Sequence, residues 1–179
     1  MNFHNITHDD MNNGDGLRVV LWVAGCEHHC KGCQNPNTWD KQGGLPFTTK
    51  ELDEIEGELS KDYISGITFS GGDPLATYNR DEVFYLMKRF KEAYPNKTVW
   101  CYTGYTLEEL LSDGFDLHYI DVLVDGKFEE SLKDITYHWA GSTNQRILRK
   151  QADGSFLADE KQYGNYDSNR PITCPSCHN

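Results

Sequence analysis

The chain has 179 residues, a formal net charge of −11 and an aromatic content of 12%. An acidic chain of this size and composition predicts one folded domain, and it excludes general disorder and non-specific nucleic-acid binding, which requires a basic surface. Because no apolar run approaches the roughly 20 residues that span a bilayer and the N-terminus lacks a signal-peptide pattern, we expect a cytoplasmic protein that binds neither membrane nor nucleic acid.

The first predicted element is a short buried strand at residues 17–25, which follows a polar segment at residues 1–16. Its β-branched and aromatic side chains are typical of a strand inside a sheet. A helix is predicted to begin at Thr48, because Thr48 and Glu51 have the spacing of a capping box and apolar residues follow at helical intervals.

Strands and helices then alternate along the chain. The pattern predicts strands at residues 63–69, 98–102, 119–124 and 145–148, a helix at residues 81–93, and a capped helix after Thr106. Alternation favours parallel pairing through right-handed crossovers, with the helices on the outside. Since there are fewer units than the eight of a closed barrel, we expect an α/β fold that is a partial (β/α) barrel or a curved, mostly parallel sheet.

Three of the six cysteines lie close together after the first predicted strand. Cys26, Cys30 and Cys33 have the spacing Cys-x3-Cys-x2-Cys. Three thiolates this close can converge on one inorganic centre, whereas disulfides among them would be strained and would leave one thiol over. A [4Fe-4S] cluster held by three cysteines has one iron free to bind a further ligand.

A structural zinc site is the alternative for the same cysteines. It needs four ligands, and His28, His29 or Cys101 would have to complete it. Because the cysteine pattern already supplies the ligands of a cluster, we expect both histidines to be exposed loop residues. Cys101 lies in a predicted strand, which favours a small buried hydrophobic side chain.

A second motif, Ser70-Gly71-Gly72-Asp73-Pro74, follows the strand predicted at residues 63–69. Paired glycines let the backbone approach a ligand, and carbonyls and an acid can accept hydrogen bonds from an ammonium group. Alone, this sequence is also a common turn. Its position one βα unit after the cysteine loop makes the pair of motifs more specific than either one.

Together the two motifs resemble those of the radical S-adenosylmethionine enzymes. Residues 25–44 are similar to the corresponding run in enzymes that activate glycyl-radical enzymes. Within that group the chain most resembles the family that activates anaerobic ribonucleotide reductase. Four further segments carry the resemblance, at residues 13–18, 100–105, 121–128 and 141–146.

This resemblance implies a [4Fe-4S] cluster on Cys26, Cys30 and Cys33, with S-adenosyl-L-methionine at the free iron. Reductive cleavage of that cofactor would give a deoxyadenosyl radical, which would abstract a hydrogen from one glycine of anaerobic ribonucleotide reductase. A reduced flavodoxin- or ferredoxin-type protein would supply the electron. No side chain is expected to act as a general acid or base, because the cofactor carries the hard step.

The resemblance also implies which residues contact S-adenosyl-L-methionine. They are Gly32, Cys33 and Gln34 beside the adenine, Gly71, Gly72 and Asp73 at the methionine end, and Asn35 and Thr103 as further contacts. The chain departs from the superfamily at Gly32 and Gln34, where relatives often carry an aromatic residue. It also departs at Trp139-Ala140, where relatives commonly carry an arginine.

The end of the chain loses the alternating pattern. We therefore expect a radical S-adenosylmethionine domain at residues 1–150 and an extension at residues 151–179. The extension ends with Cys174, Cys177 and His178, a spacing that also fits a c-type haem attachment, half a zinc site or a redox pair. An unliganded tail is the simplest expectation.

Other functions stay open at this point. The chain could activate a different glycyl-radical enzyme, such as a formate lyase, or carry out radical chemistry on a small molecule. Outside the enzymes, the zinc alternative predicts a zinc-stabilised interaction module.

Overall fold

The computed structural model describes residues 1–160, which form an eight-stranded mixed β-sheet with helices packed against it. The strands are β1 (Asn2–Asp10), β2 (Leu17–Val23), β3 (Leu45–Pro46), β4 (Ile64–Gly71), β5 (Thr98–Tyr102), β6 (Val122–Asp125), β7 (Arg146–Lys150) and β8 (Phe156–Ala158). The helices are α1 (Thr49–Leu59), α2 (Arg80–Ala93) and α3 (Leu107–Ser112). None of the helices in this described range is long and apolar enough to cross a bilayer.

The order across the sheet is β3-β1-β2-β4-β5-β6-β7-β8. The predicted parallel pairing is confirmed for the central strands β2, β4, β5 and β6. The outer strands β1, β3, β7 and β8 all pair antiparallel with their neighbours, so the prediction of a mostly parallel sheet is wrong. The connection from β6 to β7 has a short 3-10 turn, Glu130–Leu132, in place of a crossover helix, and β7 therefore returns antiparallel beside β6.

The sheet is open. Among the residues that the structure describes, the edge strands β3 and β8 do not pair with each other. The predicted partial barrel is therefore not confirmed, whereas the predicted α/β class is confirmed. The sheet also extends past residue 150, because β8 pairs with β7.

Most of the predicted elements are present, and both capping boxes are formed. Thr48 pairs with Glu51 at α1, and Thr106 pairs with Glu109 at α3. The strand β6 begins at Val122, later than the predicted start at residue 119. The polar segment at residues 1–16 predicts no strand, and β1 within it is the main element that the pattern misses.

Apolar side chains fill both faces of the central strands. The larger core, under α1, α2 and α3, includes the fully buried side chains of Leu21, Phe69 and Phe90. Burial of each such side chain stabilises the fold by about 1.5–3 kcal/mol. A smaller core on the other face is built around Trp100.

Arg18 is buried on the face that carries Trp100, and its guanidinium lies over the indole ring. It donates to Thr68 Oγ1, to Thr98 Oγ1 and to the carbonyl of Asp15, among other acceptors. Burial lowers the pKa of Arg18 to about 10. The arginine therefore stays charged at neutral pH and ties the turn before β2 to β4 and β5.

Parallel pairing places four loops at one edge of the sheet. The cysteine loop follows β2, the Gly71–Asp73 segment ends β4, Thr103 follows β5, and Gly126 follows β6. In open α/β sheets, ligands bind at the carboxyl ends of the parallel strands. The fold therefore brings together the segments that carry the sequence motifs.

Gly66 gives a test of the packing between β4 and β5. A Cβ atom there would lie 1.9 Å from the carbonyl oxygen of Thr98 on the paired strand. We expect Gly66→Ala to lower the free energy of unfolding by about 1–3 kcal/mol, because the two backbones must separate. Urea denaturation of the metal-free protein measures the change.

Gly57→Ala is the matched control. Gly57 lies within α1 with nothing within 4 Å of an added Cβ atom. The same substitution should therefore raise the free energy of unfolding by about 0.5–1 kcal/mol, because alanine favours helix more than glycine does. Equal effects at the two positions would contradict the close approach of β4 to β5.

Candidate functional site

A cavity of about 500 Å³ opens at the carboxyl ends of the central strands. This volume lies in the range of small-molecule sites. Its walls combine thiols, glycines, polar groups and aromatic rings. They include Cys26, Cys30, Cys33, Gln34, Asn35, Gly71, Gly72, Asp73 and Thr103, together with Trp22, Tyr102, Phe128, Tyr137 and Trp139.

The cysteine loop leaves β2 through Gly25, which has a φ of 94°. At this φ the backbone conformation favours glycine, and a Cβ atom at Gly25 would also lie 2.5 Å from the ring of Tyr78. Backbone hydrogen bonds from Gly25 N to Thr38 O (2.7 Å) and from Cys26 N to Trp39 O (3.1 Å) fix the start of the loop.

The three thiols of the loop are free and partly buried, and all three line the cavity. Burial raises the pKa of Cys26 and of Cys30, while the backbone N–H groups of His28 and Phe128 oppose the rise at Cys26 and Cys30, respectively. The sulfur of Cys33 accepts a hydrogen bond from Asn35 N at 3.3 Å. A metal that bound these partly buried thiols would have to displace their protons, and N–H donors already lie beside the sulfurs.

Gly71 and Gly72 are required by close packing between two loops. A Cβ atom at Gly71, where φ is 103°, would lie 2.7 Å from Val23 N, and one at Gly72 would lie 2.2 Å from Gly25 O. Gly72 N also donates to Val23 O at 2.8 Å. The glycine pair thus brings the end of β4 against the backbone that leads into the cysteine loop, in addition to lining the cavity.

Asp73 has a side chain that is only 1% exposed, and both of its carboxylate oxygens accept hydrogen bonds. Oδ1 accepts from Leu75 N (2.8 Å) and Thr103 Oγ1 (2.9 Å), and Oδ2 accepts from Gly104 N (2.9 Å). The remaining partner is His28, whose Nε2 lies 2.8 Å from Oδ2. The Asp73 carboxylate therefore joins three loops at the wall of the cavity.

The prediction that His28 is an exposed loop residue is wrong. Its side chain is 6% exposed and packs edge-on against Tyr105, with the ring centroids 4.6 Å apart. Sequence could not show this, because its partner Asp73 is 45 residues away. His29 is exposed, as predicted.

The three residues that could complete a zinc site have other surroundings. His28 is hydrogen-bonded to Asp73, His29 is exposed and lies outside the lining of the cavity, and Cys101 is fully buried within the larger core, as predicted from its strand. Across residues 1–160, no three His, Cys, Asp or Glu side chains come together as a site for a single metal ion.

The residues predicted to contact S-adenosyl-L-methionine all line the cavity except Gly32, which is exposed and lies beside the side chain of Glu130. Thr103 is buried and donates its hydroxyl to Asp73. Cys174, Cys177 and His178 lie outside the described residues.

Several walls of the cavity come from residues that the motifs do not single out. Gln145 organises one of them, because its Oε1 accepts from Gly141 N (2.9 Å) and Ser142 N (3.2 Å) while its Nε2 donates to Gly126 O (2.9 Å). Trp139 has a φ of 59° and packs edge-on against Trp100. The sequence does contain a signal for Gln145, because this residue lies in the segment at residues 141–146 that carries the family resemblance.

Comparisons with known proteins identify the family of this chain. A family model described as a 4Fe-4S single cluster domain matches residues 12–148. The anaerobic ribonucleoside-triphosphate reductase-activating protein of Enterobacteria phage T4 is 44% identical over 159 residues, which cover 89% of this chain and all of that protein. The protein of the same name from Escherichia coli K12 is 43% identical over 150 residues, covering 82% of this chain and 97% of that protein. The one from Vibrio cholerae is 44% identical over 152 residues, covering 83% and 98%. The chain therefore belongs to the family of anaerobic ribonucleoside-triphosphate reductase-activating proteins.

Proposed function

We propose that this protein activates anaerobic ribonucleotide reductase by generating a glycyl radical on it, using S-adenosyl-L-methionine and a [4Fe-4S] cluster. The observation that carries the proposal is the placement of three free thiols and the Gly71–Asp73 segment in the wall of one cavity. The activity named for the relatives and the matching 4Fe-4S domain support it. Residues 1–150 are the proposed catalytic unit.

The chemistry of the donor set fits a cluster. Cys26, Cys30 and Cys33 offer three soft sulfur ligands from one loop, which suits iron–sulfur ligation. N–H donors beside each sulfur stabilise negative charge on it, and such hydrogen bonds also tune the potential of a bound cluster. We therefore assign these three cysteines as the metal ligands.

The remaining walls fit S-adenosyl-L-methionine. We assign Gln34 and Asn35, beside Cys33, to the adenine side, with Gly32 at the outer edge of the loop. We assign Gly71 and Gly72 to the methionine end, where backbone lies open to the cavity. Asp73 and Thr103 hold that wall in place through their mutual hydrogen bond, which leaves backbone groups to contact the ligand.

A reduced cluster held by Cys26, Cys30 and Cys33 would supply the electron for cleavage of S-adenosyl-L-methionine, and the resulting radical would take a hydrogen from the target glycine. The protein's own part is to position the cofactor and to exclude water from the cavity. The rings of Trp22, Tyr102, Phe128 and Trp139 line the cavity and provide its apolar walls. The electron would come from a reduced flavodoxin- or ferredoxin-type protein.

Anaerobic reconstitution with iron and sulfide tests the proposal. We expect about four irons and four sulfides per chain, and a glycyl doublet in the electron paramagnetic resonance spectrum when reductant, S-adenosyl-L-methionine and the reductase are added. Cofactor cleavage without a doublet would instead favour another glycyl-radical partner. A colourless protein that binds zinc and cleaves no cofactor would contradict the proposal.

Cys26→Ser should remove the cluster and leave the fold. We expect less than about one iron per chain and no doublet, because three cysteines are the minimum ligand set for the proposed cluster. The free energy of unfolding of the metal-free protein should change by less than about 1 kcal/mol, since the thiol lies on a loop. Iron analysis and urea denaturation measure the two effects, and unfolding of both the wild-type protein and the variant without metal would support a structural metal instead.

Alkylation by iodoacetamide tests the ligand assignment at each position. We expect Cys26, Cys30 and Cys33 to be labelled only after iron is removed, and Cys101 only after the protein unfolds, because it is fully buried. Since the thiolate is the reactive form and burial raises the pKa of Cys26 and Cys30, their labelling in the metal-free protein should accelerate about tenfold per pH unit below their pKa. Mass spectrometry of the labelled peptides measures each rate, and equal labelling with and without iron would contradict the assignment.

A further inference from the structure

We propose that His28 is a positioning residue that couples the cluster ligands to the wall on which S-adenosyl-L-methionine binds. The inference rests on the proposed function and deepens it, because it assigns a role to a residue that ligates nothing. Its basis is the hydrogen bond between His28 Nε2 and Asp73 Oδ2, at 2.8 Å.

The position of His28 in the chain makes this contact important. His28 lies between Cys26 and Cys30, whereas Asp73 directly follows the paired glycines at the end of β4. The two side chains are 6% and 1% exposed, so little of the contact is open to solvent. A carboxylate can only accept, so the ring nitrogen donates, and the bond fixes the middle of the cysteine loop against the Gly71–Asp73 segment.

Packing holds the imidazole ring in the orientation that this bond needs. A Cβ atom on Gly104 would lie 2.3 Å from the ring, so the ring rests directly on the backbone that follows β5. Gly104 N donates to the same oxygen of Asp73 at 2.9 Å. The edge of the ring also contacts Tyr105, whose hydroxyl donates to Glu27 within the cysteine loop.

One further contact between the two loops lies beside His28, because Glu27 Oε1 accepts from Thr77 Oγ1 at 2.8 Å. Other contacts lie nearer to the start of the cysteine loop. Asp73 N donates to Gly25 O at 2.7 Å, and Asn79 Nδ2 donates to Ala24 O at 3.0 Å. These bonds fix the backbone before Cys26. His28 is the residue between the first two ligands that reaches Asp73, so its loss should let the ligands shift relative to the glycine wall.

Substitution by two amides tests the proposal, because they differ in reach. In Gln, the amide nitrogen falls near the position of Nε2, whereas in Asn it falls near Nδ1 and cannot reach Asp73. We expect His28→Asn to keep about four irons per chain and to bind S-adenosyl-L-methionine about tenfold more weakly, as for loss of a charge-assisted hydrogen bond. His28→Gln should restore binding to within about threefold of wild type.

Two readouts other than turnover separate this role from a merely structural one. Equilibrium dialysis of the reconstituted protein gives the dissociation constant of S-adenosyl-L-methionine. The change in the electron paramagnetic resonance spectrum of the reduced cluster on adding the cofactor reports their contact, and it should be diminished in His28→Asn. His29→Asn is the matched control, since His29 is exposed on the same loop and asparagine tolerates its φ of 49°.

Each outcome of these measurements supports or contradicts the proposed role of His28. Unchanged affinity in His28→Asn, or a loss equal to that in His29→Asn, would overturn the proposal, and so would loss of iron, which would assign His28 to cluster assembly. If His28→Asn does not fold, His28→Phe keeps the ring against Gly104 and Tyr105 without the N–H, and the same two readouts apply. Failure of the wild-type protein to bind iron or the cofactor would overturn the proposed function itself, and this inference with it.

Discussion

The arrangement of the site depends on the buried carboxylate of Asp73. Its oxygens accept hydrogen bonds from the end of β5 through Thr103 and Gly104, from its own loop through Leu75, and from the cysteine loop through His28. These donors lie in the loops that follow three of the central strands, β2, β4 and β5. Burying a carboxylate without hydrogen-bond partners costs free energy. Loss of one of these donors should therefore destabilise the site as a whole.

Parallel register and glycine make that convergence possible. Val23 at the end of β2 pairs with Gly71 at the end of β4, so the two loops leave the sheet side by side. Any side chain at Gly71 or Gly72 would meet backbone atoms of Val23 or Gly25. The paired glycines are therefore a consequence of how closely the two strands end, as well as an opening toward a ligand. This closeness is what brings His28 within reach of Asp73.

The sequence predicts the central part of this molecule well, because there the local signals and the tertiary structure agree. The buried strand before Gly25, the two capping boxes and the order of motif-bearing loops all follow from local patterns. The outer strands do not. In β1 mainly Phe3 and Ile6 contact the larger core, so its composition resembles a loop, and β7 runs antiparallel because the chain lacks a helix before it.

Within the site, the sequence predicts residues that the structure places in the wall of the cavity, and it does not predict the residues that support them. Cysteines and paired glycines have a spacing that local sequence shows. The role of His28 depends on Asp73 and that of Gln145 depends on Gly126, contacts between residues that are distant along the chain. For the same reason the sequence could not show that protein donors already occupy the Asp73 carboxylate. Because they do, the proposed contacts with the ligand come mainly from backbone groups.

The core and the cysteine loop are stabilised by different interactions. In the part of the chain that the structure describes, no residue of the 25–35 segment belongs to the larger core, which is built from strands and helices. Hydrogen bonds to Thr38, Trp39 and Asp73 hold the loop instead. A structural zinc site supplies folding energy to its domain, whereas here the apolar core is complete without the thiols. The fold therefore brings the three free thiols of this loop to the wall of the cavity, while the apolar core forms from other residues.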